Sequence, residues 1–218
     1  MLPEFAKARR HLARRDPALK KLIAQVGPCT LQVSSDRFAV LVRSIISQQI
    51  SSKAAMSISG RLCVALGKRG LHPRALASLD DDCLRGAGLS GPKMRALRDL
   101  TAKVLAGDVE LETIHQRDDE AVIEHLVQVR GIGPWTADMF LLSVLGRLDV
   151  WPVGDYGVRV GFARGWGLAE VPTAKELSDL GEPFRPYRSL VAWYCWQVLD
   201  QTVPIDGAVP DAPDAPSG

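Results

Sequence analysis

Apolar residues recur along this chain at spacings of three and four, the period of an amphipathic helix, and almost nowhere in sustained alternation. Asp16-Pro17 reads as an N-cap followed by proline in the first turn, and predicts a helix to about Val26, stopped by Gly27-Pro28. Leu31 and Val33 alternate with polar residues and predict a short extended piece. Phe38, Leu41, Val42, Ile45 and Ile46 keep helical spacing, and a second helix follows from Ser52 to Leu66, ended by Gly67. Asp80 to Arg85 predicts a short helix, broken by Gly86-Ala87-Gly88, after which Ser90-Gly91-Pro92 opens a helix to about Leu105. Further helices are predicted from Asp118 to Val129, from Pro134 to about Leu145, from Asp155 onward, and from about Pro186 to Leu199. Thr173-Ala174-Lys175-Glu176 has the letters of a capping box. The pattern therefore predicts an all-α fold. No long linker interrupts residues 1–200, which favours two lobes of one domain over separate domains. Prolines at 204, 210, 213 and 216, mixed with Asp, Ala and Gly, predict a disordered tail over 203–218.

Composition narrows the class. Hydrophobic residues make up 46% of the 218, enough for a real core, and charged residues 24%. No apolar run approaches the ~20 residues needed to span a membrane. Met1-Leu2-Pro3-Glu4-Phe5 lacks the basic start and apolar stretch of a signal peptide, so a cytoplasmic, nucleoid-associated location is expected. The four cysteines are scattered, with no Cys-x-x-Cys, which predicts neither a zinc site nor a disulfide framework, but small core residues in a reducing compartment. Net charge is +2, unevenly spread: Lys7, Arg9, Arg10, Arg14, Arg15, Lys20 and Lys21 stand against a lone Asp16 over residues 7–21, whereas the tail holds Asp206, Asp211 and Asp214. A basic body suits a polyanion, although charge alone reads equally as a solvated helix face.

The most specific local signal is Val127-Gln128-Val129-Arg130-Gly131-Ile132-Gly133-Pro134-Trp135-Thr136-Ala137. Glycines at 131 and 133 permit a tight turn, and Pro134 suits the first turn of the next helix. Ala137, Phe140, Leu141 and Val144 give that helix one apolar face. Two packed helices joined by such a hairpin leave amides free at a helix N-terminus, which is an anion site that a DNA phosphate fits. Contacts of that kind carry no base information. A bare Gly-x-Gly would read as a turn alone; the full string between two helical patterns points further.

With this string, the chain resembles the helix-hairpin-helix (HhH-GPD) DNA glycosylase superfamily, and within it the DNA-3-methyladenine glycosylase II family. Ile45-Ile46-Ser47-Gln48-Gln49-Ile50-Ser51 is similar to the family's early helix-end motif, and Asp149-Val150-Trp151-Pro152-Val153-Gly154-Asp155-Tyr156 to the segment carrying its catalytic aspartate. The match covers roughly residues 16–200. The resemblance implies a two-lobed helical body over residues 1–202, with a central DNA- and base-binding cleft and without the N-terminal β domain of the family's larger members. It implies a monomer acting on double-stranded DNA that contains alkylated bases. The activity implied is hydrolysis of the N-glycosidic bond after base flipping.

Residue by residue, Asp155 matches the catalytic carboxylate, although its position before a helix reads just as well as an N-cap. Trp135, Met139 and Trp196 match base-pocket positions; Trp193 and Tyr194 beside the last read as helix core. An indole face attracts a cationic alkylated base. Met139 stands where a family enzyme has tyrosine. Gln48, Gln49 and Ile50 match the wedge that fills the gap left by a flipped base, or cap their own helix. Gly131, Gly133 and Trp135 match the phosphate contact. The main-chain carbonyls of Val127, Val129 and Ile132 match those that hold a monovalent cation, Na+ or K+. No other cofactor is expected. Lyase relatives place a lysine where Trp135 stands, and many carry a four-cysteine iron–sulfur loop that is missing here. Lys93 and Arg188 are weaker phosphate candidates. The alternatives are a non-catalytic helix-hairpin-helix DNA-binding module and a glycosylase for another lesion class.

Overall fold

The computed structural model describes residues 3–200, and among these every regular element is helical. The predicted tail at 203–218 lies outside the described residues. The chain opens with α1 (Pro3–Arg15) and α2 (Pro17–Val26). Asp16 caps α2, its Oδ1 accepting from the Leu19 amide at 2.6 Å, and the Trp166 indole N–H donates to its other oxygen at 3.2 Å. The α1 helix was not foreseen as an element. Its charges hide an apolar row, Phe5, Ala8 and Leu12, which is buried. The basic residues Lys7, Arg10, Arg14 and Arg15 are on the solvent side. No strand forms at Leu31 and Val33; Leu31 packs on the core and Ser34 N donates to Ser143 O at 2.8 Å.

Seven helices follow: α3 (Arg37–Ser47), α4 (Ser52–Leu66), α5 (Pro73–Ala77), α6 (Asp81–Gly86), α7 (Gly91–Ala106), α8 (Asp119–Val127) and α9 (Pro134–Ser143). Each of α3, α4, α6 and α8 starts where an Asp or Ser side chain accepts from an amide of the first turn. Such caps satisfy amides that the helix itself cannot pair. The chain ends with α10 (Tyr156–Trp166), α11 (Ala174–Gly181) and α12 (Arg188–Asp200). The capping box read at Thr173 and Glu176 is present. The last helix starts two residues after Pro186, and α8 and α9 each end two residues short of the predicted bounds.

The chain divides into two compact units. The first is built from both ends, the residues through Gln32 and those from Arg147 on; the second is Val33–Gly146. In the first, α2, α10 and α12 pack together around Leu19, Val158, Phe162, Leu190, Val191 and Tyr194. Phe162 stacks on Trp166 with centroids 4.1 Å apart, and Phe184 and Trp151 meet it edge-on. The Tyr194 hydroxyl donates to Gly27 O at 2.9 Å, fixing the end of α2. In α10, Gly161 lies so close to α12 that an added Cβ would meet the backbone carbonyl of Cys195. The second unit has its own core, with Leu41, Ile45, Leu62, Leu97, Leu126 and Phe140 among its buried residues.

The cysteines divide. Cys29 and Cys195 are buried, whereas Cys63 and Cys83 are exposed and are not core residues as expected. Burial pushes the Cys29 thiol up to about 11, and raises Cys195 as well. Neither buried thiol is nucleophilic in that state.

Candidate functional site

In the second unit, α8 and α9 are joined by the tight hairpin predicted from its glycines. Gly131 takes φ +79°, in the left-handed region, and Ile132 N donates to Val129 O at 3.0 Å to close the turn. Gly133 is extended and heads α9, and Pro134 follows; no side chain caps the first turn of α9. Trp135, in that turn, is 44% exposed, large for an indole. Met139, one turn further on, is half-buried. Asp138, beside it, has its carboxyl pushed up to about 6 by burial, and the Asp119 charge adds to the effect.

The hairpin is braced from behind by α7. Asp99 Oδ2 accepts from the Arg130 amide at 2.7 Å and from Lys103 Nζ at 2.8 Å. The Lys103 ammonium also donates to Gln128 O at 2.6 Å. Burial works against the Asp99 charge, but its bonds to Lys103 and to the Arg130 amide outweigh it and hold the carboxyl below the usual range. A Cβ on Gly131 would come 3.1 Å from Ala96 Cβ, so glycine is needed there for space as well as for φ. None of these supports was foreseen. A carboxylate one turn before a lysine on a helix reads as an ordinary surface pair.

The structure separates the three predicted wedge residues. Gln48 is half-buried, and its side-chain amide donates to Gly131 O at 2.8 Å, tying the end of α3 to the hairpin. Gln49 is exposed and takes φ +57°, the left-handed region that a non-glycine residue seldom occupies. Such strain concentrates where a side chain must be presented in one direction. Ile50 is half-buried behind it. The turn is held from α7 too, because Lys93 Nζ donates to Ile46 O at 2.7 Å. Lys93 is therefore not simply the solvated lysine expected; its ammonium serves the end of α3, and burial lowers its pKa.

In the first unit, Asp155 holds the N-cap position expected of it and is bonded by an indole as well. It caps α10, with Oδ1 accepting from the Val158 amide at 2.7 Å. The same oxygen accepts from Trp196 Nε1 at 3.1 Å. Gly157 makes this possible: a Cβ there would lie 3.0 Å from Asp155 Oδ1 and 3.3 Å from Trp196 Cδ1. Trp196 thus supports the carboxylate through its N–H, a contact invisible in the sequence. Trp193 and Tyr194 are core residues. Tyr156 is 52% exposed, with the Arg159 guanidinium 5.3 Å from its ring centroid.

The segment leading to Asp155 is pinned by the start of α12. Ser189 is buried; its hydroxyl donates to Arg147 O at 2.6 Å and accepts from Val150 N at 2.9 Å. Arg188 forks onto both oxygens of Asp149 at 2.9 and 3.0 Å and reaches Glu182 at 3.2 Å. This network fixes Arg188 as a structural residue in place of the phosphate contact considered for it.

The three sequence motifs thus hold a carboxylate that caps α10, a braced hairpin whose second helix has no side-chain cap, and an exposed glutamine at positive φ. Residues 42–186 match the HhH-GPD superfamily of base excision DNA repair proteins. The chain belongs to that superfamily. Among HhH-GPD relatives, DNA-3-methyladenine glycosylase 1 of Schizosaccharomyces pombe is 30% identical over 94% of this chain and 93% of its own length. The alkylbase DNA glycosidase-like protein mag2 of the same yeast is 28% identical over 89% and 94%. Among solved HhH-GPD structures, the S. pombe 3-methyladenine DNA glycosylase Mag1 in complex with abasic DNA superposes with a TM-score of 0.80 at 30% identity, covering 90% of this chain and 98% of that one. DNA-3-methyladenine glycosidase of Bacillus halodurans gives a TM-score of 0.73 at 33% identity, covering 84% and 88%.

Proposed function

We propose that this HhH-GPD protein is a monofunctional DNA glycosylase. It removes alkylated bases, 3-methyladenine and its kin, from double-stranded DNA and leaves an abasic site. The observation that carries the reading is the Asp155 carboxylate. It is oriented by the α10 amide and by the Trp196 indole, in a chain whose relatives by name act on 3-methyladenine.

Breaking the bond from C1′ to the base nitrogen develops positive charge on the deoxyribose, as in O-glycoside cleavage. The bonding electrons leave with the base, and a base made cationic by alkylation departs neutral, so no dedicated acid is required. Asp155 stabilises the oxocarbenium-like sugar and takes the proton of the water that adds to C1′. Trp135 offers its face to the cationic base, an attraction of about 0.5–2 kcal/mol. Met139 completes that surface with a softer contact than an aromatic ring. Gln49 enters the duplex where the base has left, on a turn held by Gln48 and Lys93. The hairpin amides around Gly131, Gly133 and Trp135 take a backbone phosphate. With Trp135 in place of a lysine, no Schiff base to the sugar forms, which accounts for hydrolysis without strand cleavage.

A monovalent cation, Na+ or K+, belongs to this reading as the ligand of the Val127, Val129 and Ile132 carbonyls. Neutral oxygen donors suit a hard ion of low charge, and Val129 O keeps a second lone pair beyond its bond from Ile132 N. The ion would strengthen the pull of the hairpin on phosphate. No iron–sulfur cluster is part of the reading. Among the described residues no helix is long and apolar enough to cross a membrane. A monomer in the cytoplasm, near the nucleoid, completes the proposal.

The test is single-turnover incubation with duplexes carrying 3-methyladenine, 7-methylguanine, ethenoadenine or hypoxanthine. Free base should appear, with strand breakage only after alkali. Tight duplex binding without base release from any of them would favour the non-catalytic binding module. Trp196→Phe refines the assignment, because it keeps an aromatic ring and removes the donor. A hydrogen bond to a charged group contributes about 1.5–3 kcal/mol, so the single-turnover rate should fall about 10- to 100-fold. A rate equal to that of the wild type would assign Trp196 to stacking instead.

A further inference from the structure

A groove of about 620 Å³ opens on the second unit along α7, from Gly91 to Ala102, and ends at Arg130 beside the hairpin. Its polar lining is Arg85, Arg95, Arg98, Arg130, Asp81 and Asp99. Both carboxylates are already engaged. Asp81 holds Arg98 at 2.9 Å, and Asp99 holds Lys103 and the Arg130 amide. Arg85 is bound to Asp82 at 2.6 Å. The side chains of Arg95 and Arg130 are exposed and donate to no group among the described residues. The surplus charge of the groove is therefore two guanidiniums, of which Arg130 also feels the Asp99 carboxylate.

We infer that this groove is a second phosphate-binding surface, which takes the DNA backbone as it runs on past the hairpin. The inference rests on the DNA-binding reading above and extends it to residues outside the three motifs. Guanidinium forks match phosphate oxygens in shape and charge. The twelve residues from Gly91 to Ala102 rise about 16 Å along α7, the rise of roughly five base pairs. The apolar lining residues Leu89 and Met94 are buried, so the groove offers no protruding anchor of the kind protein partners seat upon. Its connection to the hairpin is direct: Asp99, in its wall, holds the amide of Arg130, and Gly131 is the next residue.

The experiment measures binding of the full chain to an undamaged 30-bp duplex, by anisotropy, between 50 and 200 mM salt. The wild type is compared with Arg95→Ala/Arg130→Ala and with the charge-matched control Lys68→Ala/Lys175→Ala, both of whose sites are exposed and distant in sequence from the groove. Loss of two phosphate contacts should flatten the slope of log K against log salt by about 1.8. Affinity should fall about tenfold or more at 50 mM, and the control should keep the wild-type slope. Near-UV circular dichroism checks that the double variant is folded. A double-variant slope equal to the wild type, or a control that moves as far, would overturn the groove as a contact surface. A wild type that fails to bind duplex at all would instead overturn the DNA reading from which the groove follows.

Discussion

Asp155→Asn is expected to abolish base release while leaving the protein folded and able to bind DNA. Asparagine caps helices as well as aspartate does, and its side-chain oxygen can accept from both the Val158 amide and the Trp196 indole. The substitution therefore removes the charge and keeps both of these bonds. Without it, the developing oxocarbenium has no carboxylate beside it and the attacking water no base. Each of these effects contributes about 10²- to 10⁴-fold in comparable sites. The single-turnover rate on 3-methyladenine duplex should fall by at least 10³-fold, with the melting temperature and duplex affinity near those of the wild type. A variant that retained a tenth of the wild-type rate would remove Asp155 from the chemistry and leave it a helix cap.

The largest expected effect on stability comes from Gly161→Ala. On helix propensity alone, the change would stabilise by about 1 kcal/mol. Packing reverses the sign, because the new methyl would meet the carbonyl, carbonyl carbon and Cα of Cys195. All three are backbone in the middle of α12, so the contact is relieved only by moving one helix off the other. Overpacking of side chains costs about 1–3 kcal/mol, and rigid backbone belongs at or above the top of that range. For a chain of this size, 3 kcal/mol is about 6–12 °C in melting temperature. Gly165→Ala serves as the comparison. Its nearest neighbour is the flexible end of Leu22, at 2.9 Å, and it should shift melting much less. Equal melting of Gly161→Ala and wild type, by scanning calorimetry, would show that the α10–α12 contact yields easily.

Much of this molecule is written in local chemistry. Asp16, Ser51, Asp80, Asp118, Asp155 and Thr173 each precede a helix and each caps it, which is why the helix starts read from the sequence lie close to the observed ones. Helix ends are less legible at α8 and α9, where the regular bonding stops before the apolar pattern does: Val129 N reaches back three residues to Leu126 O, and Leu145 N five to Phe140 O. The α1 helix is harder to see in the sequence, because seven bases in the first 21 residues surround only three buried apolar positions at helical spacing. The hairpin was legible because its geometry needs glycines at fixed places. Its supports were not. Asp99, Lys103, Gln48 and Lys93 act on backbone groups tens of residues away, and nothing in their own surroundings marks them. Trp196 falls between these cases. The sequence resemblance singled it out, but only the fold shows its N–H on the Asp155 carboxylate.

The chain order of the two units bears on how the protein is made. The unit with the hairpin is one continuous stretch, Val33–Gly146, so all of its partners are available once that stretch leaves the ribosome. The unit with Asp155 joins α2 to α10 and α12, partners separated by more than half the chain. Synthesis proceeds at about 5–20 residues per second, so the first two helices wait several seconds for theirs. Closing so long a loop costs only logarithmically more entropy than closing a short one, but it cannot begin until the last helix exists. A nascent chain can thus complete the unit that carries the hairpin before the unit that carries Asp155.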